Sequence, residues 1–163
     1  MTKKIIIIRH AKSSWTDFSL SDFDRTLDDR GLKDAPVMAN RLKEAGHIPN
    51  KIITSSAVRA KNTAAYFANA LSINKEETRL LYHGEPEDYL EQIQLLDETI
   101  SCIALVGHNP GITHIANLIK PGVTDNIPTC GIIIAEMDGK IKWNDTDWGK
   151  LKLLNIMAPK NSE

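Results

Sequence analysis

The stretch Lys3-Lys4-Ile5-Ile6-Ile7-Ile8-Arg9-His10 decides the fold class. Four consecutive β-branched residues without polar alternation read as a central strand buried on both faces, the pattern of a parallel α/β sheet. The run is too short for a signal-peptide core and far too short for a membrane span. It ends in Arg9 and His10, two groups that water normally keeps.

Working outward, the same signature recurs along the 163 residues. Apolar pulses cover Lys51–Thr54, ending in Ser55-Ser56, and Ser101–Val106, ending in Gly107-His108-Asn109-Pro110-Gly111. Two more, Ile132–Met137 and Leu151–Ile156, close the chain. Helical patterns lie between them. Leu32–Ala45, with Val37, Leu42 and Ala45 as its apolar positions, reads as a helix that stops at Gly46, with Pro36 predicting a first turn or kink before the regular helix. Ala57–Leu71 is alanine-rich, with Ser55 or Ser56 placed to cap it. Glu87–Leu96 and Ile112–Ile119 are shorter candidates. Strands alternating with helices predict an α/β fold with a mostly parallel sheet. With no repeat, linker or low-complexity tract, residues 1–163 read as one domain.

Composition narrows the function classes. A net charge of −1 gives no broad nucleic-acid footprint, and no segment is long and apolar enough to cross a bilayer, so neither nucleic acid nor membrane is an expected partner. Cys102 and Cys130 have neither metal-ligand spacing nor a disulfide framework; as free thiols in or beside apolar runs they predict a reducing, cytoplasmic home. No carboxylate cluster with metal-ligand spacing accompanies the other polar residues, so neither a metal nor another cofactor is expected.

Three of the buried pulses end in reactive groups: Arg9 and His10 after the first, Arg59 after the second, His108 after the third. Ligands of open parallel α/β sheets bind outside the carboxyl ends of the strands, so the three ends converge on one pocket. Arginine offers a planar fork of donors matched to phosphate oxygens. Histidine serves as a nucleophile when neutral and as an electrostatic donor when protonated. Helix N-termini after Ser56 and Pro110 add to a site suited to phosphoryl transfer. Lys12 extends the positive field or is plain solvated surface, and Trp15 is a candidate pocket wall. His47 reads as a helix-end residue, His114 as a packing or surface residue, and His83 as a rim candidate. Trp143 and Trp148 are expected to cover an edge of the sheet. Cys130, near Thr129 and Gly131, lies beside the pocket if that loop folds over it.

These motifs in order resemble the histidine phosphatase superfamily, the phosphoglycerate-mutase-like proteins, with the SixA-type phosphohistidine phosphatases as the nearest fit. Arg9-His10-Ala11 matches the signature tripeptide, followed by Lys12-Ser13-Ser14-Trp15. Asp22 to Gly31 resembles the segment ending in Leu-x-x-x-Gly. Ser55-Ser56-Ala57-Val58-Arg59-Ala60 with Thr63-Ala64 matches the Ser-Ser-x-x-Arg-Ala-x-x-Thr-Ala helix start, and Val106 to Gly111 matches the second-histidine motif. The resemblance implies a three-layer α/β/α fold and a metal-independent hydrolase of class EC 3.1.3. In it His10 is the nucleophile that becomes phosphorylated, and Arg9, Arg59 and His108 surround the phosphoryl group.

Its general acid is open. Glu85, in Leu81-Tyr82-His83-Gly84-Glu85-Pro86-Glu87, is a candidate proton donor and reads equally as a helix-start carboxylate. Asp22 and Asp24 are close in sequence, though Asp24 and Arg25 also read as a structural pair. A short chain leaves little sequence for a lid, which favours a phosphohistidine-bearing protein as substrate. The alternatives are a small phosphoester and, from another class, a non-catalytic phosphate-binding module.

Overall fold

The computed structural model describes residues 1–160. The Ile5–Ile8 run lies inside β1 (Thr2–Arg9), and all four isoleucines are fully buried. Their alternate side chains enter different cores. Ile6 and Ile8 pack with Met38, Leu42 and Phe67, whereas Ile5 and Ile7 pack with Tyr89, Ile115 and Trp143. A strand covered on both faces carries no polar alternation for this reason.

β1 is flanked by β4 (Cys102–Gly107) in parallel and β5 (Ile132–Asp138) in antiparallel register. With β2 (Lys51–Ser55), β3 (Asn74–Thr78) and β6 (Lys152–Met157) the sheet order is β3-β2-β4-β1-β5-β6. Only β5 runs against the rest, which makes this the mostly parallel sheet expected. Helices α1 (Asp29–Glu44) and α2 (Val58–Leu71) supply one core, and α3 (Pro86–Gln94) and α4 (Gly111–Ile119) supply the other. Among the described residues no helix is long and apolar enough to cross a membrane.

Local expectations fail where tertiary packing or edge exposure decides. β3 carries no apolar pulse because Asn74-Lys75-Glu76-Glu77 is an exposed edge, and charged edges discourage pairing with other chains. α1 begins at Asp29, whose preceding residue Asp28 caps Gly31 N–H, and it runs unbroken through Pro36. Its buried face is Ala35, Met38, Ala39 and Leu42, while Val37 and Ala45 are exposed. Small alanines on that face let α1 approach α2. Neither Ser55 nor Ser56 is the cap of α2; that position is Ala57, without a side-chain cap. Trp143 and Trp148 are buried in the core on the α3–α4 face, against which Leu153 and Ile156 of the edge strand β6 also pack, and Trp143 Nε1 donates to Ile100 O at 2.8 Å. Cys102 and Cys130 are free and buried.

Candidate active site

The carboxyl ends of β1, β2 and β4 meet around one pocket. Arg9 is the last residue of β1, and His10 N–H donates to Gly107 O (3.0 Å) at the end of β4. Ala11 N–H donates to Thr63 Oγ1 of α2 (2.9 Å), which fixes the backbone just past His10. Gly107 is required by a close approach: a Cβ there would lie 2.0 Å from Tyr89 Oη. That hydroxyl accepts the His108 N–H (3.0 Å) and so sets the histidine that follows β4.

His10 and His108 are both buried, with ring centroids 5.1 Å apart. His10 Nδ1 lies 2.7 Å from Ala11 O; since a carbonyl only accepts, Nδ1 carries the proton and Nε2 keeps its lone pair. Burial, then competition with the neighbouring His108 for a proton and the charges of Arg59 and Arg9, hold the His10 pKa well below the usual imidazole range against the opposing Ala11 bond. His108 Nε2 lies 2.8 Å from Ser55 Oγ, which also accepts Ala57 N–H (3.2 Å). Ser55 Oγ thereby ties the His108 ring to the start of α2. Nδ1 of His108 is buried and has no partner among the described residues. Burial first, then the Arg59 charge, pushes His108 down to about 3.

Arg59 enters from the first turn of α2. Its guanidinium bonds Asp22 O (2.6 Å) and Asp22 Oδ2 (3.0 Å), while its buried Nε has no hydrogen-bond partner among the described residues. Asp22 is a hub. Its carboxylate also takes Tyr82 Oη (2.7 Å) and Arg25 NH1 (2.9 Å). Partial burial alone would raise its pKa, but the bonds from Tyr82 and Arg25 and the Arg59 charge outweigh it and hold Asp22 firmly ionised. Arg9 NH1 donates to Ile127 O at 2.9 Å.

The cavity between these groups measures about 210 Å³. It is smaller than the roughly 300–1,000 Å³ of ordinary small-molecule pockets. Arg9, His10, Lys12, Trp15 and Arg59 line it as the sequence suggested, together with Ser13, Arg25, Asn126, Pro128 and Thr129. His108, expected at the phosphoryl group, is not among the lining residues. Cys130 is buried outside the lining, its neighbour Thr129 within it.

Two carboxylate expectations are corrected. Glu85 does not enter the cavity: it is exposed at the N-cap of α3, where its N–H donates to Asp88 Oδ2 (2.7 Å), and it lines a separate depression with His114 and Leu118. Arg25 pairs with Asp22 and not with Asp24, which accepts from Ser21 Oγ instead (2.9 Å). Arg25 is the lining residue that sequence reasoning undervalued. It also bonds Ser13 Oγ and lies 3.2 Å from the centroid of the Trp15 ring, an arrangement no local pattern announces. Among the described residues no group of three or more His, Cys, Asp or Glu is arranged to hold a metal ion.

A small cavity of neutral histidine and converging arginines at the strand ends is the architecture of a phosphoryl-handling hydrolase. The chain belongs to the histidine phosphatase superfamily (branch 1), whose family model matches residues 5–85. An uncharacterised chloroplastic protein of Arabidopsis thaliana is 29% identical over 99% of this chain and 80% of its own length. SixA from Agrobacterium tumefaciens superposes with a TM-score of 0.83 at 24% identity, covering 96% of this chain and 98% of that one. A protein histidine phosphatase SixA complexed with tungstate superposes at 0.80 with 22% identity, covering 97% and 98%. The fold is thus phosphoglycerate-mutase-like and SixA-like, and the family makes the chain a phosphatase-type hydrolase.

Proposed function

We propose that this protein is a single-domain, metal-independent phosphatase that hydrolyses phosphohistidine on a partner protein, with His10 as the nucleophile. The observation that carries the reading is the pairing of a His10 Nε2 lone pair with a cavity lined by four basic side chains, Arg9, Lys12, Arg25 and Arg59, and no carboxyl group. The arginine forks hold the phosphoryl oxygens and offset the charge that gathers on them in the transition state. His10 Nε2 forms the new N–P bond as the bond from phosphorus to the substrate imidazole breaks. His108, whose ring centroid lies 5.1 Å from that of His10, supports the nucleophile from outside the cavity lining. Water then attacks phosphorus, releases inorganic phosphate and restores His10.

The missing carboxyl group favours a phosphoramidate over an alcohol ester. An alkoxide leaving group needs a strong acid beside it, whereas an imidazole whose second ring nitrogen carries a proton leaves as a neutral base. Asp22 is ionised, and Glu85 opens elsewhere on the surface, so neither supplies that acid.

The test compares turnover of a histidine-phosphorylated protein, a phosphoserine peptide and a sugar phosphate, with acid-labile phosphoenzyme trapped from each. His10→Ala is expected to abolish turnover and trapping, a loss of about 10⁴-fold or more. Glu85→Gln is expected to change phosphohistidine turnover less than twofold, and excess EDTA to leave it unchanged. Unaltered turnover in His10→Ala would overturn the mechanism. A preference for the sugar phosphate that Glu85→Gln removes would move the assignment to a small-molecule phosphomonoesterase.

A further inference from the structure

Between Ser13 and Arg25 the chain leaves the pocket and returns to it. The first foot, Ser13 and Trp15, lines the cavity; at the second, Asp22 bonds Arg59 and Arg25 lines the cavity again. The crest between the feet carries Phe18, 92% exposed, and Leu20, 38% exposed, close to Trp15 at 68%. Isolated apolar residues on a surface are ordinary, but three within six positions, the first of them lining a pocket, are not.

The crest is held in shape. Thr16 N–H donates to Ser14 Oγ (3.2 Å), and Ser19 N–H and Oγ–H both donate to Asp17 Oδ1 (3.0 and 2.5 Å). Arg25, fixed by Asp22 and by Ser14 O (3.1 Å), lies against the Trp15 ring. Phe18 is therefore displayed to water by an ordered turn, so little conformational entropy is left to lose when something covers it.

At about 210 Å³ the cavity is small beside ordinary small-molecule pockets, so most of a protein that presents a phosphoryl group there stays outside it. Phe18 is three residues beyond Trp15, a reach of up to about 10 Å along the chain. A phosphoprotein seated over the pocket covers the crest as well.

We propose that Trp15–Leu20 is a docking edge for the folded phosphoprotein whose phosphohistidine enters the pocket, meeting an apolar patch beside that phosphohistidine through Phe18 and Leu20. The proposal rests on the reading of this chain as a protein phosphohistidine phosphatase.

The experiment measures kcat/KM of the wild type, Phe18→Asp and Leu20→Ser on two substrates: a folded phosphotransfer protein phosphorylated on histidine, and phosphoimidazole. Phe18→Asp is expected to lower kcat/KM on the phosphoprotein about tenfold, mainly through KM, as for an apolar anchor at an interface. Its turnover of phosphoimidazole is expected to stay within twofold, and Phe18→Leu to restore most of the loss. Equal kcat/KM of wild type and Phe18→Asp on the phosphoprotein overturns the docking edge. An equal loss on both substrates overturns it too, by tracing the effect to the pocket. A wild-type dimer that Phe18→Asp converts to monomer in sedimentation gives the crest to a second copy instead. A wild type inert toward the phosphoprotein yet active on a phosphoester overturns the phosphohistidine reading, and the docking edge with it.

Discussion

Over a few residues β1 passes between two dry environments with opposite energetics. Ile5 to Ile8 are fully buried, and His10, Arg59 and His108 are nearly so, at 7%, 5% and 5% exposure. Burying the isoleucines is favourable, at roughly 25 cal/mol per Å² of apolar surface. Burying the basic groups is not, and the cost shows in a His10 pKa held well below the usual range and in His108 pushed down to about 3. Burial by itself therefore does not tell core from site; the charge and bonding capacity of what is buried do. The isoleucines leave nothing unpaired, and in the α3–α4 core a single indole atom, Trp148 Nε1, is buried without a partner among the described residues, whereas at the strand ends Arg59 Nε and His108 Nδ1 are both so placed beside a pocket. There a bound ligand accounts for them.

Arg59→Lys tests the site half of that contrast and carries the larger expected effect. It keeps the charge but removes the fork that joins the pocket to Asp22. On the proposed mechanism kcat/KM for a phosphohistidine protein falls by about 10²–10³-fold. The melting temperature is expected to move little, because Asp22 keeps Tyr82 and Arg25. A melting temperature that drops as far as for a core truncation would instead make Arg59 a stability residue and erase the distinction.

Ile7→Ala tests the other half. Ile7 lies in the α3–α4 core beside Trp143 and Tyr89, so the substitution opens a cavity costing about 2–5 kcal/mol in chemical denaturation. At temperatures where the variant stays folded, kcat is expected within twofold of the wild type. A large loss of kcat in fully folded protein would show that the β1 core positions Arg9 and His10 and does more than anchor them.

The sequence discloses these two regions unequally. A doubly buried strand needs uninterrupted apolar residues, so β1, β2, β4 and β5 announce themselves. β3 does not: Lys75, Glu76 and Glu77 lie on an edge, where solvation rather than packing selects side chains. Arg9, His10, Arg59 and His108 are legible because each closely follows a strand whose apolar run is plain. Asp22 and Arg25 sit at the two ends of a short 3₁₀ turn (Asp22–Asp24) that no apolar pattern marks, and the importance of Asp22 comes from partners 37 and 60 residues away in sequence. Glu85 shows the converse. A carboxylate near a motif looks like an acid on paper, but its place at the start of α3 directs it to a different part of the surface.

The smallest effect expected is a titration that does not happen. An unperturbed imidazole is about nine-tenths protonated one unit below its pKa of roughly 6.5. His10 and His108 are both depressed, so histidine ¹⁵N spectra at pH 5.5 are expected to show each neutral, with the proton of His10 on Nδ1. The stability consequence has a definite sign. Between 6.5 and about 3 the unfolded chain binds a proton at His108 that the folded chain does not, so stability falls as pH drops through that window. His10 adds to the fall in the same direction. Replacing His108 with Asn, which keeps a polar side chain but does not titrate, is expected to flatten the slope. An unchanged slope, or a His10 signal that protonates near 6.5, would mean that the strand ends are wetter than the core they adjoin, and the contrast between the two regions would fail.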